Sequence, residues 1–136
     1  PGQTEFDSAL AVGVSRAVEK KGLAQLDQEM KALVERVRNG KASAEDQSGS
    51  TITLSSTAGI APPGMTTTPI LNLPNAMLVG PSTPIERPIV IDGEICLRTV
   101  MPINITFDHR GIDGEMAAHF MSALHNYLET PELMLS

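Results

Sequence analysis

The chain contains few of the residues on which many small protein classes depend. Its 136 residues include no tryptophan, one tyrosine, three phenylalanines and a single cysteine, Cys96. One cysteine excludes an internal disulfide and fits a reducing compartment. No apolar run approaches the roughly 20 residues that cross a bilayer, and no secretory signal is present. The core must therefore be built from Leu, Ile, Val, Ala and seven Met.

Positive charge is also scarce, because 16 acidic residues outnumber 10 basic ones and give a net charge of −6. This balance argues against a nucleic-acid backbone or an anionic membrane as the main partner. There is no phosphate-binding loop, nucleophile elbow or dinucleotide fingerprint. His119 and His125 lack the spacing of a zinc cluster and are interpreted as surface histidines, so no metal site is predicted.

The length predicts one domain, residues 1–136, with a composition typical of a globular protein. The chain begins at Pro1 without an initiator methionine, which predicts a trimmed product or a fragment of a longer protein.

Hydrophobic periodicity predicts two amphipathic helices. The first has apolar residues three and four apart from Leu23 to Val37 and ends at Gly40, with its basic residues on the solvent face. The second follows Gly114 and ends at Pro131.

Short apolar or alternating runs predict the strands. These are residues 9–14, 51–55, 76–80, 88–91, 94–98 and 100–107. Asp92-Gly93 has the composition of a tight hairpin turn, and Cys96 in the following strand is interpreted as structural. Residues 59–69 are too rich in Pro, Gly and Thr for regular structure. The predicted fold is mixed α/β with a largely antiparallel sheet and flanking helices.

The connection from Phe107 to Gly114 carries the most chemistry. It holds His109 and Asp113 four residues apart, and histidine is the side chain best suited to move a proton near neutral pH. The spacing alone also fits a structural turn, in which the histidine is hydrogen-bonded and Asp113 caps the following helix.

The pattern His-x-x-x-Asp-Gly after a Phe-Asp strand end resembles the active-site signature of the dihydrolipoamide acyltransferases, the core components of 2-oxoacid dehydrogenase complexes. Chloramphenicol acetyltransferase shares that fold and site. The likeness extends over nearly the whole chain. It includes the segments 22–41, 50–55, 68–74, 76–80 and 127–135.

The resemblance implies roles for particular residues. His109 would be the general base that deprotonates the thiol of dihydrolipoamide or coenzyme A. Ser55 would donate its hydroxyl to the oxyanion, with Ser56 and Thr57 as alternatives. Asp113 would hold the geometry of the site, and Arg110 and Gly114 would support the motif. Coenzyme A would be a substrate at residues not yet assigned, and lipoate would arrive on another domain or chain.

The resemblance also implies a homotrimer with its active site between subunits, a larger core assembly and other subunits of the complex. Such a protein would lie in the bacterial cytoplasm or the mitochondrial matrix. The chain corresponds to the C-terminal part of the family's catalytic domain, which is a truncated chloramphenicol-acetyltransferase-like domain without the N-terminal part. The loop after Ser55 is longer than the family's. Two alternatives follow: a non-catalytic scaffold subunit that trimerises or docks to the core, and a stand-alone acyltransferase of secondary metabolism.

Overall fold

A computed structural model of the chain describes residues 12–135. Its two α-helices are α1, Leu23–Arg38, and α2, Gly114–Glu129. The strands are β1 (Ile52–Leu54), β2 (Met77–Pro81), β3 (Ile85–Ile91), β4 (Glu94–Val100) and β5 (Ile103–Phe107). Short 3-10 turns lie at Val18–Lys20, Glu45–Gln47 and Pro131–Met134. The predicted mixed α/β class with a largely antiparallel sheet is confirmed.

Helix α1 ends where its sequence predicts. Gly40 has a φ of 64°, a left-handed conformation that glycine adopts without steric cost. Its N–H donates to the Val37 carbonyl, and the Lys41 N–H donates to the Arg36 carbonyl at 2.8 Å. This pair of bonds satisfies carbonyls that the helix end would otherwise leave unpaired.

A three-stranded sheet of order β1-β2-β5 forms the centre of one part of the chain. Strand β2 pairs in parallel with β1, through Ile52 opposite Met77, and antiparallel with β5, through Met77 opposite Phe107. Met77 and Leu78 are each only 4% exposed, because β2 has neighbours on both sides. Strand β2 therefore fixes the positions of β1 and β5 relative to each other.

Strands β3 and β4 form the predicted hairpin as a separate two-stranded sheet. Asp92 and Gly93 at its turn have φ angles of 52° and 85°, the positive values that a two-residue hairpin turn requires. Cys96 lies opposite Ile89 and is partly buried, as expected for a structural cysteine.

Two predicted strands differ from the structure. Of the predicted strand 9–14, residues 9–11 lie outside the described residues, and 12–14 are not a strand. The Val14 N–H donates to the Asp46 carbonyl at 2.7 Å, so this segment bonds to a loop turn instead of a sheet. The predicted run 100–107 is two strands, because the chain breaks at Met101 and Pro102, and proline has no N–H for a ladder.

Contacts divide the described residues into two compact units, one of residues 12–50 with 124–135, and one of Thr51–Ala123. The three-stranded sheet and the hairpin both belong to the second unit. No helix within residues 12–135 combines the length and apolarity needed to cross a membrane.

Because β2 organises the sheet, we expect Leu78→Ala to lower the free energy of unfolding by about 2–5 kcal/mol, the usual range for removing a buried leucine side chain. Urea denaturation measures this. Leu97→Ala is the matched control, since Leu97 is 67% exposed on the hairpin and should change stability far less. Equal losses for the two variants would contradict this view of the core.

Candidate active site

His109 lies in a tight turn directly after β5. The N–H groups of Gly111 and Ile112 both donate to the Asp108 carbonyl, at 3.1 and 3.0 Å, and close the turn beneath the histidine. The His109 side chain is exposed, and its ring centroid lies 5.6 Å from that of Phe107. Within residues 12–135, neither ring nitrogen of His109 forms a hydrogen bond, so both remain available to a ligand or another chain.

Arg110 closes an ion pair with Asp108 across the same turn. Its Nε donates to Oδ1 at 2.9 Å, and its terminal nitrogen donates to Oδ2 at 2.7 Å, which is a bidentate geometry. The hydrogen bonds from the Arg110 side chain, and then from its backbone N–H, lower the pKa of Asp108 to about 2. Asp108 is therefore fully ionised near neutral pH and neutralised by its neighbour.

Asp113 caps helix α2. Its Oδ1 accepts the Met116 N–H at 2.8 Å, and its carbonyl accepts the Ala117 N–H at 3.1 Å. These bonds satisfy donors that the first turn of the helix would otherwise leave unpaired. No hydrogen bond joins Asp113 to His109 in the part of the chain that the structure describes. Asp113 thus supports the turn that carries His109 and does not contact the imidazole through a hydrogen bond.

The two glycines of the motif are not required by the backbone. Neither Gly111 nor Gly114 has a positive φ, and a Cβ added at either position would meet nothing within 4 Å. The predicted supporting role of Gly114 therefore has no basis in local sterics within this chain.

The remaining histidines are exposed on α2, as predicted. His119 has its Nε2 3.7 Å from a Glu115 oxygen, one helical turn away, which is a contact that the spacing argument overlooked. Residues 12–135 contain no group of three or more His, Cys, Asp or Glu side chains that could hold a metal ion.

The three candidate oxyanion donors differ in what their hydroxyls contact. Ser55 is exposed just after β1, and its backbone N–H donates to the Val79 carbonyl at 3.0 Å. The Ser56 hydroxyl accepts the Ala58 N–H at 3.1 Å, so it is engaged locally. The Thr57 hydroxyl is buried without a partner among the described residues. Only the Ser55 hydroxyl is both exposed and free of these local interactions.

Within one chain, Ser55 and His109 lie at opposite ends of the three-stranded sheet. The Ser55 N–H bonds to the Val79 carbonyl on one side of β2, and the Asp108 N–H, next to His109, bonds to the Ala76 carbonyl on the other side. Three residues span about 10 Å along a strand and the two outer strands lie about 10 Å apart, which together separate the two positions by about 14 Å. The structure therefore brings His109 close to Asp113 in one turn but does not bring Ser55 to them.

One buried polar residue near the start of β2 is absent from the sequence predictions. Asn75 is 6% exposed and lies two residues before β2, and its side-chain oxygen is buried without a partner in the described part of the chain. A polar residue at a strand start is ordinary in a sequence, so no local signal distinguishes it.

A family model described as "2-oxoacid dehydrogenases acyltransferase (catalytic domain)" matches residues 3–136. The chain belongs to this family, and the predicted resemblance is confirmed.

Curated relatives agree with the family. The chain is 42% identical over 128 residues to the lipoamide acyltransferase component of the branched-chain alpha-keto acid dehydrogenase complex of Pseudomonas putida. The alignment covers 94% of this chain and 30% of that protein. The chain is also 33% identical over 131 residues to the dihydrolipoyllysine-residue acetyltransferase component of the pyruvate dehydrogenase complex of Staphylococcus aureus. That alignment covers 96% of this chain and 30% of the Staphylococcus protein. The chain thus spans about a third of these relatives' length.

Solved structures share the fold. The dihydrolipoamide acetyltransferase of Azotobacter vinelandii superposes on this chain with a TM-score of 0.84 at 35% identity. The match covers 96% of this chain and 53% of that one. The Azotobacter vinelandii structure was used to investigate the roles of a serine, a histidine and an asparagine in the catalytic mechanism of that enzyme. The cubic core of a pyruvate dehydrogenase multienzyme complex also gives a TM-score of 0.84, at 34% identity and the same coverage.

The capping role of Asp113 predicts unequal effects of two substitutions. Asp113→Ala should lower the free energy of unfolding by about 1 kcal/mol, because the Met116 N–H loses its acceptor. Asp113→Asn keeps an acceptor oxygen and should cost only a few tenths of a kcal/mol. Urea denaturation of both variants measures the difference, and similar losses in the two would rule out the cap as the main role of Asp113 in stability.

The ion pair predicts where Asp108 titrates. Its pKa is depressed from 3.8 to about 2 in the folded chain, so the stabilisation from this group is complete above about pH 4 and is lost as the pH falls through about 2. In Arg110→Gln, the Asp108 pKa should rise towards its ordinary value, as followed by carboxyl NMR titration. Arg98→Gln on the hairpin is the control and should leave the Asp108 titration unchanged.

Proposed function

We propose that this chain is a single acyltransferase domain that transfers an acyl group between a dihydrolipoyl thiol and coenzyme A, with His109 as the general base. The observation that carries the proposal is the exposed imidazole in a turn closed by Asp108 and capped by Asp113, with both ring nitrogens free of hydrogen bonds within residues 12–135. A base needs one unoccupied ring nitrogen that can reach the attacking thiol.

The reaction follows from these groups. The neutral imidazole of His109 takes the thiol proton as the sulfur attacks the carbonyl carbon of the acyl thioester. A carbon–sulfur bond forms, and the carbonyl electron pair moves to the oxygen. The tetrahedral intermediate then collapses, and the departing thiolate takes the proton back from the imidazolium. A thiol pKa of about 8.5 and an imidazole pKa of about 6.5 make this transfer feasible near neutral pH.

The proposed oxyanion donor is the Ser55 hydroxyl of a neighbouring chain. Ser55 and the turn of His109 in one chain are anchored on opposite sides of β2, about 14 Å apart, which is too far for both to contact one acyl group. Strand β1 is an edge strand whose Ile52 and Leu54 are 55% and 69% exposed. Exposed apolar side chains of this kind are typical of interaction surfaces. The separation of Ser55 from His109 and the exposed apolar side chains of β1 both support a homotrimer with its active sites between subunits.

The choice of Ser55 over Thr57 is supported by its exposed hydroxyl. In the Azotobacter vinelandii enzyme the serine precedes the histidine by 52 positions, and the asparagine follows the histidine by four. Here Asp113 follows His109 by four, whereas Ser55 precedes it by 54 and Thr57 by 52. The spacing from Ser55 to His109 exceeds that in the Azotobacter vinelandii enzyme by two residues, and a loop two residues longer after Ser55 would account for this excess. Thr57 matches the spacing, but its hydroxyl is buried, so we propose Ser55 as the donor.

The partners proposed are those of the named relatives. Two of them are components of branched-chain keto acid and pyruvate dehydrogenase complexes, and one solved relative is a cubic multienzyme core. We therefore propose that the trimers join a larger core with the other subunits of such a complex. The lipoyl group would arrive on another domain or chain, since it must move between active sites.

The sharpest test mixes two variants. His109→Ala should abolish transfer from acetyl-coenzyme A to dihydrolipoamide, and Ser55→Ala should reduce it about 10²–10³-fold. When equal amounts are unfolded and refolded together, random trimers should regain about a quarter of the unsubstituted activity, because one in four interfaces pairs an intact histidine with an intact serine.

Two controls accompany the mixing. Each variant refolded alone must keep its own low or absent activity, and sedimentation must detect trimers at micromolar concentration. Trimers without restored activity would contradict a site shared between chains. If the unsubstituted chain assembles but neither transfers acetyl groups nor binds coenzyme A, the acyltransferase proposal fails and the scaffold hypothesis replaces it.

A further inference from the structure

Two arginines of the β3–β4 hairpin lie directly opposite each other. Arg87 pairs with Arg98 in the antiparallel register, so their side chains leave the same face of the hairpin with Cβ atoms about 5 Å apart. Both residues are exposed. Like charges at directly opposite positions destabilise a sheet, so this pair is unfavourable in the chain by itself.

No acidic side chain offsets the two charges among residues 12–135. Arg87 forms no hydrogen bond or ion pair there, and the Arg98 guanidinium donates only to the Leu97 carbonyl, at 3.1 Å. Glu86 directly precedes Arg87 and therefore lies on the other face of the hairpin. Glu94 shares the face but lies four residues along β4 from Arg98, about 13 Å away. The pair thus keeps most of its N–H donors for a ligand.

Other basic side chains of this acidic chain do have carboxylate partners. Lys21 pairs with Glu29, Arg36 with Asp46 at 2.8 Å and Arg110 with Asp108 at 2.7 Å. The arginine pair on the hairpin differs from these because two cations meet without an anion between them.

The residues on either side of the pair are uncharged. On the same face, Ile85 lies opposite Val100 towards the base of the hairpin, and Ile89 lies opposite Cys96 towards its turn. All four are half-buried. Apolar neighbours strengthen the attraction between a cation and an anion, and the guanidinium group presents parallel N–H donors that match the oxygens of a phosphate.

The loop that follows Ser55 lies against this pair. Gly64 has a φ of 76°, and a Cβ added to it would lie 3.5 Å from a terminal nitrogen of Arg87. Earlier in the loop, the Gly59 N–H donates to the Thr83 hydroxyl at 3.2 Å, two residues before β3. These contacts fasten the segment from Ser55 to Gly64 to the base of the hairpin, so one loop borders both the proposed oxyanion donor and the arginine pair.

We propose that Arg87 and Arg98 bind the 3′-phosphate of coenzyme A. This inference rests on the proposed function, because it assigns a binding site to one of its substrates. A phosphomonoester carries nearly two negative charges near neutral pH, which matches two cations. The phosphate is joined to the thiol through the long pantetheine arm, so its anchor belongs on a surface beside the acyl site. The arginines hold the nucleotide end of the substrate and take no part in proton transfer.

Steady-state kinetics with two acyl donors test this site. Arg87→Gln and Arg98→Gln should each raise KM for acetyl-coenzyme A about tenfold and leave kcat unchanged, because each removes hydrogen bonds to a charged group that are made equally in the ground and transition states. With acetyl-3′-dephospho-coenzyme A, KM for the unsubstituted chain should already be raised, and neither substitution should raise it further.

Arg38→Gln, at an exposed arginine that ends α1, is the matched control and should change KM for neither donor. An unchanged KM for acetyl-coenzyme A in both hairpin variants would overturn the proposal. Equal rises of KM with the two donors would also overturn it, because the arginines would then not contact the 3′-phosphate.

Thermal unfolding gives a readout that does not need turnover. Coenzyme A should raise the Tm of the unsubstituted chain more than 3′-dephospho-coenzyme A does, and the double variant Arg87→Gln with Arg98→Gln should abolish this difference. If no acetyl transfer is detected but the difference and its loss occur, the proposed function fails and the phosphate site stands. If transfer occurs but the two nucleotides stabilise the unsubstituted chain equally, the phosphate site is overturned and the proposed function stands.

Discussion

The pairing of β2 with a strand on each side is the constraint on which the rest of this structure depends. Strand β2 is parallel to β1 and antiparallel to β5, so the carboxyl ends of β1 and β5 lie at opposite ends of the same sheet. Ser55 follows one of these ends and His109 the other. Side-chain rotation alone does not close a separation of about 14 Å between their anchoring positions on β2. Any chemistry that uses both groups must therefore draw them from different chains, and the topology alone carries this requirement.

A second consequence concerns the turn that carries His109. Its acidic neighbours are both engaged, since Asp108 pairs with Arg110 and Asp113 binds the Met116 N–H. These interactions rigidify the turn and start α2 without directing a free carboxylate at the imidazole. A free carboxylate there would favour the imidazolium, which cannot accept a proton from a thiol. The motif thus holds the turn of the histidine in place, and both of its carboxylates are engaged elsewhere.

Sequence reasoning predicted the elements whose signals are local. The periodicity of α1 with Gly40 at its end, and the Asp92-Gly93 hairpin, follow from rules that act over a few residues. It failed where the conformation of a segment depends on partners that are distant in the sequence. An apolar run such as 12–14 forms a strand only if a partner strand is available, and here Val14 bonds to the carbonyl of Asp46. The site divides in the same way: the motif residues are contiguous, whereas the separation of Ser55 from His109 depends on strand order and register, which composition does not contain.

The two readings of Asp113 in the sequence, a helix cap or a support of the active site, are not exclusive. The carboxylate that caps α2 also fixes the point at which the chain leaves the turn, and the turn fixes His109 through the Asp108 carbonyl. An asparagine can accept the same N–H with its side-chain oxygen, and the Azotobacter vinelandii enzyme has asparagine four residues after its histidine. What the position requires is an acceptor oxygen, with or without a charge. A residue whose function is to cap therefore need not exchange protons with the base, and the capping bond of Asp113 to the Met116 N–H supports the base only by fixing where the turn ends and α2 begins.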